Sequence, residues 1–261
     1  MRRSFGRATH VELHVDMRPD APNRVRLQQY GRWKFGPDAH VESLFSETLL
    51  RAVDCPYETD SRLSTFGGDQ GKVLVNGKAM GQGVEHVEKL QEVLGVNLDK
   101  RLNEKELEIS SQMLAKLNGS VRNAIVCSRW LREPHKARKY LLGAFWPFSW
   151  FAQMYRSAKL KFRVMHQSTG PGMDRLVEKA VRDLGNVSQQ LGRKKYMFGD
   201  EIHTLDVAIF ACVSLLIWDP FDYRGIKSHF IGENSQLSNL TRHAIRMRQT
   251  LFPDWEELCK I

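Results

Sequence analysis

The sequence predicts a chain in two parts, a small α/β unit followed by an all-α bundle, and three observations carry that prediction. Between residues 24 and 95 the patterns run strand, helix, tight hairpin, helix. Beyond residue 103 every apolar pattern has helical spacing. Within that second part, residues 205–218 contain only Asp206 and Ser214 as clearly polar groups, so they form a helix with no wet face, which belongs inside a core. The boundaries this implies are a flexible leader over 1–23, an α/β domain over 24–95, a linker over 96–103 and a helical domain over 104–261.

Taken in order, residues 1–23 open with Arg2, Arg3 and Arg7 and hold no apolar run long enough for a secretory signal or a membrane span. Glu12, Asp16 and Asp20 depart from the acid-poor composition of a transit peptide, so a flexible leader is expected. Val25, Leu27 and Tyr30 mark a first strand, and turn residues follow over 31–37. Val41, Leu44, Phe45, Leu49, Ala52 and Val53 recur at helical spacing, and the helix must stop before Pro56, which cannot continue it. Val73, Leu74 and Val75 are joined to residues 78–80 by Asn76-Gly77, the dipeptide that accepts the positive φ angles of a type I′ hairpin. Val84, Val87, Leu90 and Leu94 close the unit with a helix.

In the second part, one stripe consists of Leu107, Leu114, Leu117, Val121 and Ile125. A second consists of Met173, Leu176, Val177, Ala180, Leu184, Val187 and Leu191, and a third of Leu237, Leu240, Ala244, Met247 and Leu251. Such stripes are core faces. The fully apolar helix should begin just after Gly199-Asp200, where Asp206 lies beside free backbone N–H groups and the positive end of the helix dipole. Three residues before Asp206 stands His203, not Ser or Thr, so the capping pair is incomplete unless Thr204 caps one position later; Thr204 and Asp206 are read as structural caps.

Residues 140–155 contain no charge, and Arg132, Lys136, Arg138 and Lys139 precede them while Arg156, Lys159, Lys161 and Arg163 follow. Basic flanks around an aromatic centre fit peripheral membrane contact through 129–163. The run is too short to span a bilayer, and Pro147 interrupts it. The reading taken is the other one: a helix pair whose aromatics sit in the core or line a groove for a hydrophobic ligand.

Composition bounds function more than it chooses one. The chain has 261 residues, with 42% hydrophobic and 26% charged, which suits a soluble globular protein with a real core. Its net charge of +9 attracts anionic surfaces, but no nucleic-acid motif accompanies it, so no nucleic acid is expected as partner. Cys55, Cys127, Cys212 and Cys259 have no zinc-ligand spacing, and the nine His residues form no His-x-x-x-His pair around an acid. Free thiols, a reducing compartment and no metal follow. The 168–172 stretch with Gly170-Pro171-Gly172 lacks the spacing of a phosphate-binding loop.

Three stretches together carry a resemblance: Leu50-Arg51 followed by Pro56-Tyr57-Glu58, residues 192–200 ahead of Thr204-Leu205-Asp206, and Asn239-Leu240 with Phe252-Pro253-Asp254-Trp255. In this order they resemble the failed-axon-connections and metaxin-related branch of the glutathione-transferase-like superfamily, from residue 24 onward. The resemblance implies a thioredoxin-like N-terminal domain on an all-α bundle, the glutathione transferase fold. It implies glutathione as the candidate cofactor, in a cleft at His40, Ser43, Val73, Gln82 and Gly83, with Ser43 at about the place where relatives carry the hydroxyl or thiol that stabilises a thiolate. Read from its residues alone, Ser43 is instead a serine on the exposed face of a helix.

The relatives' proline before the hairpin strand is missing from 71–75, and the acid-hydroxyl pair that grips the γ-glutamyl carboxylate is replaced by Gln82-Gly83. Two functional readings follow from the resemblance. One is a non-catalytic adaptor with an unknown protein partner or hydrophobic ligand, cytoplasmic or on the cytosolic face of a membrane such as the mitochondrial outer membrane, where relatives act in neural development, sorting or stress response. The other is an active glutathione transferase that conjugates a hydrophobic electrophile.

Overall fold

The computed structural model describes residues 24–29, 32–61, 71–142, 148–167, 172–230 and 235–259. The expected leader over 1–23, Pro147 and the Gly170-Pro171 turn lie outside them. A four-stranded mixed sheet has the order β2-β1-β3-β4, with β1 Val25–Gln29, β2 Glu58–Ser61, β3 Lys72–Val75 and β4 Lys78–Gln82. Strand β1 runs parallel to β2, Leu27 opposite Thr59, and antiparallel to β3, Leu27 opposite Val73. The β3–β4 turn has Asn76 at φ 52° and Gly77 at φ 80°, the type I′ geometry expected from Asn-Gly. Between β1 and β2 lies helix α1, Val41–Ala52, and after β4 comes α2, Val87–Leu94, which ends on left-handed Gly95.

The remainder is helical: α3 Glu104–Lys116, α4 Arg122–Cys127, α5 Pro134–Ala137, α6 Phe148–Gln167, α7 Gly172–Leu191, α8 Thr204–Trp218, α9 Ser238–Leu251 and α10 Trp255–Leu258. Helices α3, α4 and α5 are joined through π-turns at Leu117–Val121 and Ser128–Arg132, so the first predicted stripe is bent over several segments. Leu117, Val121 and Ile125 are buried, but Leu107 is exposed, which corrects the expectation of one continuous core face. The stripes of α7 and α9 bury Val177, Ala180, Leu184, Val187 and Leu191, and Leu240, Ala244 and Met247.

Helix α8 is the centre. Every residue from Thr204 to Leu216 is buried, and α1, α3 and α9 pack around it. Its start is held by one carboxylate. Asp206 Oδ2 accepts from the backbone N–H of His203 at 3.0 Å, while Oδ1 accepts from Met197 N–H at 2.9 Å and meets His243 Nε2 at 2.8 Å. His203 is the N-cap residue, with its Nδ1 3.9 Å from Asp206 Oδ2; Thr204 is therefore the first helical residue and not a cap displaced by one position. Thr204 still ties the helix to its surroundings: its N–H donates to Asp99 Oδ1 at 3.0 Å and its hydroxyl accepts from Gln91 Nε2 at 3.1 Å.

The two parts are joined by the residues of the family-like motifs. Arg51, in the last turn of α1, donates to both oxygens of Asp254 at 2.6 and 2.9 Å, to Leu251 C=O at 3.0 Å and to the Tyr57 hydroxyl at 2.8 Å. Its guanidinium stacks 4.4 Å from the centre of the Phe252 ring. Arg51 and Tyr57 of the first stretch and Phe252 and Asp254 near the other end of the chain form one clamp. Asn239 plays a similar part between α9 and the end of α7, donating to Ser188 C=O at 2.7 Å and Gly192 C=O at 3.2 Å.

Replacing Asp206 by Ala leaves two backbone donors and a histidine unpaired in a fully buried place, so Asp206→Ala should lower unfolding free energy by about 3–5 kcal/mol. Urea titration measures it, and a loss below ~1 kcal/mol would contradict the role given to this carboxylate.

Candidate functional site

Helix α1 is an unusual element because both of its faces are covered. The sheet takes one side and α8 the other, so Glu42, Ser43, Ser46, Glu47 and Thr48 are buried along with Leu44, Phe45, Leu49 and Leu50. A polar group in that position must find a partner inside the protein. Ser46 Oγ donates to Gly71 C=O at 2.9 Å, and Thr48 Oγ1 donates to Leu44 C=O at 2.6 Å. Glu47 accepts from Arg32 at 2.7 Å and from the Tyr57 hydroxyl at 2.7 Å, with Arg51 3.6 Å away. Burial first, then the Glu47 charge, raises the Tyr57 phenol well above its ordinary value, so it stays protonated and works as a donor.

At the N-terminal end of α1 sits Glu42. Its Oε2 accepts from His40 Nδ1 at 2.7 Å and its Oε1 pairs with Arg122, which arrives from α4 in the other part of the chain. Burial pushes this carboxyl upward, but His40 and Arg122 outweigh burial and hold it at about 2. It is a fixed anion. Asp38, two residues before the N-cap, accepts from His40 N–H at 2.6 Å through Oδ1 while its Oδ2 has no partner. Burial dominates there and lifts Asp38 to about 7, with His40 and its N–H pulling back. The loop that carries these residues is anchored by Arg129, which is itself buried and binds Ala39 C=O, Asp219 and the Tyr223 hydroxyl.

The residues singled out from the sequence fall around this cluster. His40 is the N-cap residue of α1, in extended conformation, and touches Glu42. Gly83, at φ 62°, faces the aliphatic part of the Glu42 side chain, since a Cβ there would lie 3.1 Å from Glu42 Cγ. Gln82 ends β4 just before it. Val73 is buried in the sheet, opposite Leu27 and Gly81. Ser43 is fully buried in the first turn of α1 and its hydroxyl has no hydrogen-bond partner, which corrects the expectation of an exposed serine. Two layers cover α1, and a helix-face argument that assumes one wet side fails there.

Gly71 matters more than its neighbours' pattern disclosed. It stands where the resemblance places a proline that exposes backbone groups to a glutathione cysteinyl unit. Here its N–H donates to Gln28 C=O at 2.8 Å and its C=O accepts from Ser46. At φ 74° a Cβ would come within 2.5 Å of the Glu42 and Ser43 backbone, so only glycine allows this approach. Glu42, Asp38 and Arg122 were missed from the sequence. An acid in the first turn of a helix reads as dipole compensation, and Arg122 stands eighty residues away with no local signal.

Other chemistry is not assembled. Among the described residues no group of His, Cys, Asp and Glu could hold a metal ion. Burial raises the thiols of Cys55, Cys259 and Cys212, the last to about 12, so these three are not poised as thiolates. A cavity of about 650 Å³ lies away from the α1 terminus, between α2 and α3, lined by Val87, Gln91, Leu107, Leu114 and Asn118 among others. The aromatic run splits. Tyr140 packs on Phe35, ring centres 5.5 Å apart, but Trp150, Phe151, Met154 and Tyr155 are exposed, so the core reading fails for these four residues of α6.

Comparison with known proteins agrees with this architecture. Residues 180–247 match the family described as glutathione S-transferase, C-terminal domain. The Drosophila melanogaster protein Failed axon connections is 25% identical over 257 residues, covering 90% of this chain; the chain spans 60% of that relative's length. Among solved structures, a β-etherase from Sphingobium matches with a TM-score of 0.57 at 13% identity, over 86% of this chain and 98% of that one. A glutathione S-transferase from Ceriporiopsis subvermispora in complex with glutathione matches with a TM-score of 0.56 at 11% identity, over 86% and 98%. These likenesses show the fold.

Asp38 and Glu42 bend stability with pH in opposite senses. Glu42 is depressed from 4.5 to about 2, so its contribution is present above the ordinary carboxylate range and disappears as pH falls through about 2. Asp38 is raised from 3.8 to about 7, so stability is greatest below 3.8 on its account and declines as pH rises through about 7. Asp38→Asn should therefore stabilise the protein at pH 8 by on the order of a few kcal/mol and do little near pH 4. Denaturant titrations at several pH values check this; an effect of equal size at both ends would count against a buried, titrating Asp38.

Proposed function

We propose, for a chain of the glutathione-transferase-like superfamily, that it acts as a non-catalytic adaptor of the failed-axon-connections and metaxin type, its peptide-binding cleft closed from within. The observation that carries this reading is Glu42. A transferase of this fold uses the free end of α1 and the turn before α2 to hold glutathione, and both are anion-binding features of backbone N–H groups. In this chain the side chain of Glu42, ionised and matched by Arg122, lies between them, its methylene carbons against Gly83. A γ-glutamyl carboxylate brought there meets a like charge whose cationic partner is already engaged. The backbone of Gly71 is likewise committed to Gln28 and Ser46.

A place in the cytoplasm or on the cytosolic face of a membrane, the mitochondrial outer membrane for a metaxin-type protein, belongs to the same reading. Support for it comes from the net charge of +9 and the exposed aromatic residues of α6. Among the described residues no helix is long and apolar enough to cross a membrane, so the association would be peripheral.

One observation favours the second reading, an active transferase: the Ser43 hydroxyl, in α1's first turn, is buried with no protein partner, so a donor stands unused there. Passage over immobilised glutathione separates the two. The adaptor predicts that the protein flows through, that generic electrophiles are not conjugated, and that Ser43→Ala changes neither result. Retention that Ser43→Ala abolishes would replace the adaptor with the enzyme.

A further inference from the structure

We infer that the outward face of α6 docks on anionic phospholipid surfaces. This deepens the membrane-associated part of the reading above and is independent of whether the α1 cleft is closed. Trp150, Phe151, Met154 and Tyr155 are 41%, 58%, 49% and 52% exposed. At spacings of one, four and five residues they share one side of the helix. The helix is fixed to the body: Ala152, on the other side, is buried, and Ser157 Oγ, at the edge of the aromatic face, donates to Trp130 C=O at 2.8 Å. The helix cannot roll to hide its aromatics without giving up those contacts.

The composition of that face selects its occupant. Trp150 and Phe151 stand edge to face at 5.2 Å and form a projecting pair, and Trp and Tyr each join an apolar ring to a polar edge, as the headgroup boundary of a bilayer requires. The sequence of α6 contains Arg156, Lys159, Lys161 and Arg163 and no acid. Lys159 is exposed one turn beyond Tyr155. The segments against which α6 packs present the exposed Lys139, and also Lys136, which is exposed but pairs with Glu133. An anionic surface complements a helix whose sequence is basic and free of acids. A second copy would not, because two α6 faces meeting about a two-fold axis would bring the same lysines together within a chain that already carries +9. At about 1.5 Å per residue the helix is a rod of roughly 30 Å, long enough to lie along the surface.

Flotation of the full chain with phosphatidylcholine vesicles, and with vesicles that also contain phosphatidylserine, tests this. The protein should float with the anionic vesicles at low salt, less so at physiological salt, and not with phosphatidylcholine alone. The double variant Phe151→Ser, Met154→Ser removes two exposed apolar side chains; it should keep its melting temperature and lose about tenfold or more of the bound fraction. Lys159→Glu should weaken binding by roughly fivefold or more. Failure to float with either vesicle at low salt, or flotation of the double variant equal to that of the unaltered chain, would overturn the inference. So would a concentration-dependent dimer in sedimentation without lipid that the double variant abolishes. Retention on glutathione bears only on the cleft and leaves these outcomes unaffected.

Discussion

The carboxylate of Asp206 is the constraint on which the rest of the structure depends. A helix with no polar face gains its place only by complete burial, yet its first turn brings unsatisfied N–H groups into the same dry interior. Asp206 takes the N–H of the N-cap His203 while Asp99 takes that of Thr204, and by also binding Met197 N–H and His243 it fastens the turn at Tyr196–Gly199, the start of α8 and the middle of α9 to one another. With α8 fixed in position and register, α1 has a firm surface to pack on, and the α/β unit acquires an orientation relative to the bundle.

That packing decides the character of the candidate site. Were α1 covered only by the sheet, its outer side would be the wall of a solvent-filled cleft and its polar groups would be free for a ligand. Covered by α8 as well, its acids are satisfied within the protein, Glu47 by Arg32 and Tyr57, Glu42 by His40 and Arg122. The Arg122 pair is the telling one, because it takes a cation from the helical bundle to neutralise an anion of the α/β unit. Removing either partner would leave a charge uncompensated in low dielectric, which is costly, whereas the intact pair adds little net stability over apolar packing. On the adaptor reading proposed above, its main effect is on the cleft and not on the stability of the fold.

Much of the fold was legible because it rests on local rules. The hairpin follows from Asn76-Gly77, the end of α1 from Pro56, and the burial of α8 from a run in which only Asp206 and Ser214 are polar. Strand β2 was missed: Glu-Thr-Asp-Ser has no apolar alternation, and only parallel backbone pairing with β1 makes it a strand. The site was legible in location and not in composition. His40 and Gly83 could be placed near it by resemblance, but the residue between them, Glu42, takes its meaning from Arg122, and no spacing rule connects positions so far apart. Ser43 failed for the same reason, since its second covering layer is a helix from the other end of the chain.

Two departures from ordinary polarity remain, and they point in opposite directions. Around α1 the chain buries charge; along α6 it exposes Trp150, Phe151, Met154 and Tyr155. Single exposed apolar residues are common and need no explanation, but four on one side of a helix otherwise clamped to the body form a patch. Burying ionised groups costs free energy, and wetting aromatic surface forgoes it, so neither arrangement is selected by folding alone. Local rules are broken in folded proteins chiefly where function requires it. On the adaptor reading proposed above, the buried charge at α1 occupies the place of a small-molecule site and the exposed face of α6 offers a surface on the outside of the bundle.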